Sequence, residues 1–141
     1  MGDPQVNVRL AQAADLNAVN LDHTISDEII LKKIAAEEVF LLTVDGRPAG
    51  YLRLEYHWSC VPYIALVHIS EPYRGQGYSH NLLGFVEDFL RDKGYDVLYS
   101  SSTVNEAEPQ AWHRHMGFEE CGFIAGMNEG GVGEVFFRKR L

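Results

Sequence analysis

The fold is decided by one stretch of the sequence, PYIALVHISEPYRGQGYSH, which occupies residues 62–80. The run Pro62–Ile69 is apolar at nearly every position, which is typical of a central strand buried on both faces. After a loop at Gly75–Gly77, the segment Tyr78–Lys93 predicts a helix, because its apolar residues recur at helical spacing. The stretch therefore predicts a strand, a glycine loop and a helix in direct succession.

The glycine loop has the composition of an anion-binding turn. A helix N-terminus leaves backbone N–H groups unpaired and carries partial positive charge. Gly75 and Gly77 would let the backbone approach an oxyanion without interference from Cβ atoms, and Arg74 adds a permanent charge. The loop thus predicts a pyrophosphate site, whereas the alternative is that the glycines only permit a tight turn. No Walker lysine follows, and His80 stands where a dinucleotide fingerprint has its third glycine.

The rest of the chain contains short strand and helix patterns. Further strands are predicted at Val6–Leu10, Val39–Val44, Ala49–His57, Asp96–Tyr99, Phe118–Ala125 and Val132–Lys139. Further helices are predicted at Ala13–Asn20, Asp27–Glu37 and Pro109–Met116. Hairpins at both ends with one strand–loop–helix unit between them predict an α+β fold, an α/β sandwich.

Composition narrows the class of protein. The 141 residues suit a single domain over residues 1–141, and 46% are hydrophobic, as in ordinary globular chains. The two cysteines fit no metal-ligand spacing, so no metal is expected. A net charge of −8 disfavours nucleic acid and anionic membranes as partners. The chain shows no signal peptide and no apolar run long enough to span a bilayer, so we expect a cytoplasmic protein.

Two motifs resemble those of the GNAT N-acetyltransferase superfamily. Tyr73-Arg74-Gly75-Gln76-Gly77 is similar to its coenzyme A signature, Arg-Gly-x-Gly, although Pro72 replaces the usual Gln or Arg. Residues 108–118, EPQAWHRHMGF, resemble its C-terminal motif, a short helix followed by Gly-Phe and a strand. The resemblance covers Pro62–Leu141 and implies a splayed, mixed, mostly antiparallel central sheet flanked by helices.

The resemblance also implies acetyl-CoA as co-substrate, with no metal. In the family, amides of the loop hold the pyrophosphate, and the main chain at the end of the fourth strand pairs with pantetheine. Carried over to this chain, the coenzyme-binding residues are Val67, His68, Ile69, Arg74, Gly75, Gln76, Gly77, Tyr78, Ser79, His80, Asn105 and His113.

His113 occupies the position of a tyrosine that often acts as general acid in the family. Histidine can also return a proton to the coenzyme A thiolate, since its ordinary pKa lies near neutrality. The alternative is that His113 only packs or forms hydrogen bonds. The sequence is compatible with both interpretations.

A general base must deprotonate the acceptor ammonium before the amine attacks. Glu55 and His68 are the main candidates on the predicted central strands, with His57, Tyr63 and Ser70 as further options. Each also has a structural interpretation, as a solvated strand carboxylate for Glu55 or a hydrogen-bonded core residue for His68.

The acceptor is expected to be a primary amine of a small molecule or a peptide. In the family, acceptor specificity comes from the junction of the first two helices, here residues 20–28, which carry three carboxylates and one histidine. An ordinary polar loop is the alternative for this segment. The rival functions are a non-catalytic acyl-CoA-binding or sensor module, an acyltransferase that uses a longer acyl-CoA, and a nucleotide-binding module. Many family members form homodimers, so a second copy of the chain is a candidate partner.

Overall fold

The computed structural model of the protein describes residues 2–141. Its helices are α1 (Asp27–Ala35), α2 (Tyr78–Asp92) and α3 (Ala107–His115), and short 3-10 turns lie at Ala13–Ala18, Glu71–Tyr73 and Glu129–Gly131. Its strands are β1 (Val6–Leu10), β2 (Val39–Val44), β3 (Arg47–His57), β4 (Val61–Ile69), β5 (Val97–Thr103), β6 (Glu119–Ile124) and β7 (Glu134–Arg140). They form a seven-stranded sheet in the order β1-β2-β3-β4-β5-β7-β6. Since β4 and β5 are parallel and the other recorded pairs are antiparallel, the predicted mixed, mostly antiparallel α+β fold is confirmed.

The chain divides into two compact units. The first unit comprises residues 2–54 and Leu66–Phe89, and the second comprises Glu55–Ala65 and Leu90–Leu141. The expected single domain over residues 1–141 stays a prediction.

In the first unit, successive residues of β2 pack into different layers because side chains alternate along a strand. Val39 and Leu41 join a buried cluster with Ile30 of α1. The ring of Phe40 instead makes edge contacts with Phe85 and Phe89 of α2. Both faces of β2 are therefore covered by helices, as its continuous apolar sequence requires.

In the second unit, β7 lies between β5 and β6. The β5–β7 ladder runs from the Val97–Arg140 pair to the Thr103–Glu134 pair. Strand β6 pairs on one side with β7 and all six of its residues are exposed, including Phe123 and Ile124. Among the described residues, β6 is thus an edge strand that lacks cover.

The predicted bounds of β5 and α3 were wrong. Strand β5 extends through Thr103, whereas the predicted strand ends at Tyr99. The pairing of seven residues with β7 outweighs the weak strand preference of serine. Helix α3 begins at Ala107 and not at Pro109. Pro109 still lies in the first turn, where its missing N–H breaks no helical hydrogen bond.

None of the described helices has the length and apolar character that a membrane span requires.

Candidate functional site

The glycine loop joins β4 to α2 inside the first unit. At its start the loop is still bonded to β3, because the Ser70 amide donates to the carbonyl of Ala49 at 2.9 Å. A hydrogen bond connects the loop to the end of β4, because Nε of Arg74 donates to the carbonyl of Ile69 at 2.7 Å. Gly75 and Gly77 have φ values of 74° and 82°, in the left-handed region where side chains are disfavoured. A Cβ atom at either glycine would meet no atom within 4 Å, so the space in front of both is open.

The start of α2 offers hydrogen-bond donors to this open space. Within residues 2–141, the amides of Gly75, Gln76, Gly77 and Tyr78 donate to no recorded acceptor. The guanidinium of Arg74 is exposed beside them. Unpaired amides, a helix N-terminus and one cation form an arrangement that suits a phosphate or pyrophosphate. The residues that the sequence motif indicated therefore fit coenzyme A.

Val67, His68 and Ile69 form the end of β4, immediately before the loop. Gly50 of β3 packs so closely here that a Cβ atom would lie 2.6 Å from the carbonyl oxygen of His68 and 2.8 Å from Cδ1 of Ile69. The sequence pattern does not predict this role of Gly50, since a glycine inside a strand does not indicate which distant backbone it approaches. Its role is to allow β3 to lie against the strand end that would face pantetheine.

His68 is half-buried and its ring stacks on Tyr51, with 5.0 Å between the ring centroids. Burial lowers the pKa of His68, and Arg74 lowers it further, against an opposite effect of Asp22. The imidazole is therefore neutral at pH 7 and retains a lone pair that can accept a proton. This state is compatible with the base role, which stays a prediction.

The expected acceptor segment is anchored by an ion pair. Both guanidinium Nη atoms of Arg53 donate to the Asp22 carboxylate at 2.8 Å, and both side chains are mostly buried. Tyr51 and Thr24 donate to the same carboxylate. These partners, Arg53 above all, hold the pKa of Asp22 far below its usual range, while burial and Asp22 raise the pKa of Tyr51 to about 12.

The hypothesis that this segment offers three carboxylates to a cationic amine therefore needs a correction. Asp22 is already neutralised by Arg53, and Asp27 accepts a hydrogen bond from the side chain of Asn20 at 2.8 Å. His23, Asp27 and Glu28 remain exposed. The sequence could not show this, because Arg53 lies 31 residues from Asp22 on another element.

His113 lies in the second unit, on α3, and is 4% exposed. Its Nε2 is 2.6 Å from the hydroxyl of Ser100, and its Nδ1 is 2.7 Å from the carbonyl of Pro109. Since the carbonyl can only accept, Nδ1 carries the proton and Nε2 accepts from Ser100. The ring also stacks on Phe137 at 4.6 Å, and burial lowers its pKa. Both nitrogens are occupied, so this geometry favours packing, and the acid role stays a prediction.

Glu55 and Asn105 are the other predicted residues in the second unit, and both are exposed. Glu55 lies near the end of β3 and acts electrostatically on Tyr63 of β4. Asn105 lies in the turn between β5 and α3. The structure thus groups the predicted coenzyme residues 67–80 in one unit, and holds Glu55, Asn105 and His113 in the other.

The chain matches the model of the acetyltransferase (GNAT) family over residues 10–118. The protein belongs to the GNAT acetyltransferase family. The match includes both the glycine loop and the whole of α3, the two segments that carried the resemblance in the sequence. No curated protein sequence matches this GNAT chain significantly.

Solved structures share the fold of this GNAT protein at low sequence identity. Ard1 from Thermoplasma volcanium has a TM-score of 0.84 at 14% identity, over 96% of this chain and 97% of that chain. The ribosomal-protein-S18-alanine N-acetyltransferase from Escherichia coli has a TM-score of 0.79 at 18% identity, over 96% and 94%. A streptothricin acetyltransferase from Bacillus anthracis, described as putative and solved with acetyl coenzyme A, has a TM-score of 0.67 at 14% identity, over 73% and 61%.

Proposed function

We propose that this GNAT protein is an acetyl-CoA-dependent N-acetyltransferase that acetylates a primary amine of a small molecule or a peptide. The observation that carries the proposal is the loop before α2, where the amides of residues 75–78 have no recorded acceptor and the space in front of Gly75 and Gly77 is open. Family membership supports acyl transfer from an acyl-CoA, and the loop supplies the donors that a pyrophosphate needs.

The residues of the first unit would bind and orient the donor. Loop amides and Arg74 would hold the pyrophosphate, and the main chain of Val67–Ile69 would align pantetheine as an added strand does. Backbone N–H groups at this strand end would stabilise the oxyanion that forms when the amine attacks the thioester carbonyl. The reaction would then depend on positioning and on removal of one proton from the ammonium.

The acceptor class has support only from related folds. One neighbour is named for the alanine of a ribosomal protein and another for streptothricin, so peptide and small-molecule amines both belong in a first panel. The proposal includes the cytoplasm as location, because the thiols of Cys60 and Cys121 are free and exposed, which suits a reducing compartment. It also includes a homodimer, which light scattering would measure.

A binding or sensor module is the second candidate function. It is favoured by His113, whose ring nitrogens are both occupied at the position where the family often has an acid. This candidate predicts tight binding of acyl-CoA without turnover.

The deciding experiment measures thiol release from acetyl-CoA with polyamines, aminoglycosides, amino acids and short peptides as acceptors. Release that depends on one acceptor class would support the transferase and identify its substrate. Calorimetry with coenzyme A, acetyl-CoA, a longer acyl-CoA and ATP is the companion measurement. Binding of coenzyme A with no acceptor-dependent release would favour the sensor, and binding of ATP alone would refute the assignment of the loop.

A further inference from the structure

Four side chains of the second unit form a continuous hydrogen-bonded series across one face of the sheet. The phenol of Tyr63 on β4 bonds to the hydroxyl of Ser101 on β5, and Ser101 donates to the Glu134 carboxylate on β7. The side-chain amide of Asn128 donates to the other oxygen of Glu134 at 2.9 Å. The series spans three strands, so the spacing of its residues along the sequence does not predict it.

The hydrogen bonds of the series have a defined donor-to-acceptor direction. A serine hydroxyl has one proton, and that of Ser101 is given to Glu134. The Tyr63 phenol must therefore donate its own proton to Ser101, which leaves the lone pairs of its oxygen as acceptors. Tyr63 is half-buried, so its side chain is partly open to solvent. An ammonium group that reached this oxygen would find an acceptor already connected to a carboxylate.

The surroundings of Tyr63 suit a cationic group. The ring of His57 lies 4.7 Å from that of Tyr63, the ring of Phe136 lies 6.1 Å away, and Glu55 acts on the phenol electrostatically. Burial raises the pKa of Tyr63, so the phenol keeps its proton at neutral pH.

Glu134 forms the carboxylate end of the series. Thr103 lies opposite Glu134 in the ladder, and its Oγ1 is buried without a partner among the described atoms. Glu134 acts electrostatically on Tyr63 and on His113. The titratable groups to be considered in a pH profile are therefore Glu55, His57, Tyr63, Glu134 and His113.

We propose that Tyr63, Ser101 and Glu134 form a proton relay that deprotonates the acceptor amine. This inference rests on the proposed N-acetyltransferase function and names the base that the function requires. One N–H bond of the ammonium breaks as the phenol oxygen of Tyr63 gains its proton. The phenol gives its original proton to Ser101, and Ser101 gives its own to Glu134. The net result is a neutral amine and a protonated Glu134, which releases its proton to solvent between turnovers.

The test compares Ser101→Ala and Glu134→Gln with Ser102→Ala as matched control. Ser102 is the next residue of β5, and its buried hydroxyl has no partner in the described structure, so its loss breaks no hydrogen bond. The rate is measured from pH 6 to pH 10 with the best amine of the acceptor panel. Hydroxylamine, which is largely neutral over most of this range, serves as a second nucleophile. Binding of acetyl-CoA by calorimetry shows whether each variant is folded and loaded.

The relay predicts that both relay variants lose about 100-fold or more in kcat near neutral pH, the usual range for general base catalysis. The loss should shrink as the pH approaches the pKa of the amine itself, and with hydroxylamine, because neither case needs a base. The affinity for acetyl-CoA and the behaviour of Ser102→Ala should match the wild type. Wild-type rates and pH profiles in Ser101→Ala would overturn the relay while leaving the transferase intact. A wild-type protein that binds acetyl-CoA but acetylates no amine would overturn the proposed function and the relay together.

Discussion

Gly77 combines a backbone conformation that favours glycine with a position at the predicted phosphate site. Its left-handed φ requires glycine, and the open space in front of it would receive a side chain without a clash inside the protein. A substitution here should therefore strain the backbone and, in addition, occupy the space of the ligand. Comparison with another glycine of left-handed φ separates the two effects and makes the loop assignment testable.

We expect Gly77→Val to weaken coenzyme A binding at least about tenfold, or about 1.4 kcal/mol, because the side chain would fill the phosphate space. Gly94→Val is the matched control, since Gly94 also has a left-handed φ and open space but lies after α2. Both variants should lose similar stability from backbone strain. Calorimetry with coenzyme A measures the difference, and equal affinity in the two variants would refute the loop assignment.

The stability of the fold should depend on pH through His113. Because burial lowers its pKa in the folded state, the unfolded chain, with an ordinary value of about 6.5, binds more protons. The stability that this residue contributes is therefore full above about pH 6.5 and is lost as the pH falls through the folded pKa. Urea unfolding of the wild type between pH 5 and pH 8 should show this slope.

His113→Phe should keep the stack on Phe137 but leave the Ser100 hydroxyl and the Pro109 carbonyl without their ring partners. We expect a loss of about 1–3 kcal/mol for such buried groups, and the disappearance of the pH slope that His113 contributes. His115→Phe, on the exposed side of α3, is the control. Turnover per folded molecule tests the acid role separately: a large fall at unchanged coenzyme affinity would support it, and an unchanged turnover would exclude it.

At the scale of elements, the ion pair between Asp22 and Arg53 ties the segment before α1 to strand β3. Removing one partner of a buried pair leaves an uncompensated charge. Since Asp22 has a strongly lowered pKa, its contribution is present above the unfolded value of about 3.9 and is lost as the pH falls below it. The anchoring should thus persist throughout the neutral range.

We expect Asp22→Asn to lower the free energy of unfolding by about 3–5 kcal/mol, the usual effect of breaking a buried pair. Glu28→Gln is the control, because the Glu28–Lys32 pair is highly exposed and should contribute nothing measurable. Chemical denaturation at pH 7 compares the two. Similar stability in both variants would show that the Asp22–Arg53 pair does not anchor the segment.

For the whole molecule, sequence patterns predicted those elements that depend on residues close together in the chain. Strand β4, the glycine loop and helix α2 follow one another within residues 61–92, so their order and periodicity sufficed to predict them. The features that were missed depend on partners distant in sequence: the length of β5, the approach of Gly50 to His68, and the Arg53–Asp22 pair. The Tyr63–Ser101–Glu134 series belongs to the same class, because strand order and register alone bring its members together.

The exposed edge strand β6 has a consequence for storage. Phe123 and Ile124 stand at one end of an uncovered strand, while Glu119 and Glu120 stand at the other. An uncovered edge strand can pair with the edge strand of another chain. The acidic end of β6 and the net charge of −8 oppose such pairing, because the chains repel each other. At 0.1 M salt, repulsion between exposed charges more than about 10 Å apart is largely screened. Concentrated stocks should therefore stay clear longest in dilute buffer, and turbidity should develop sooner as ionic strength rises.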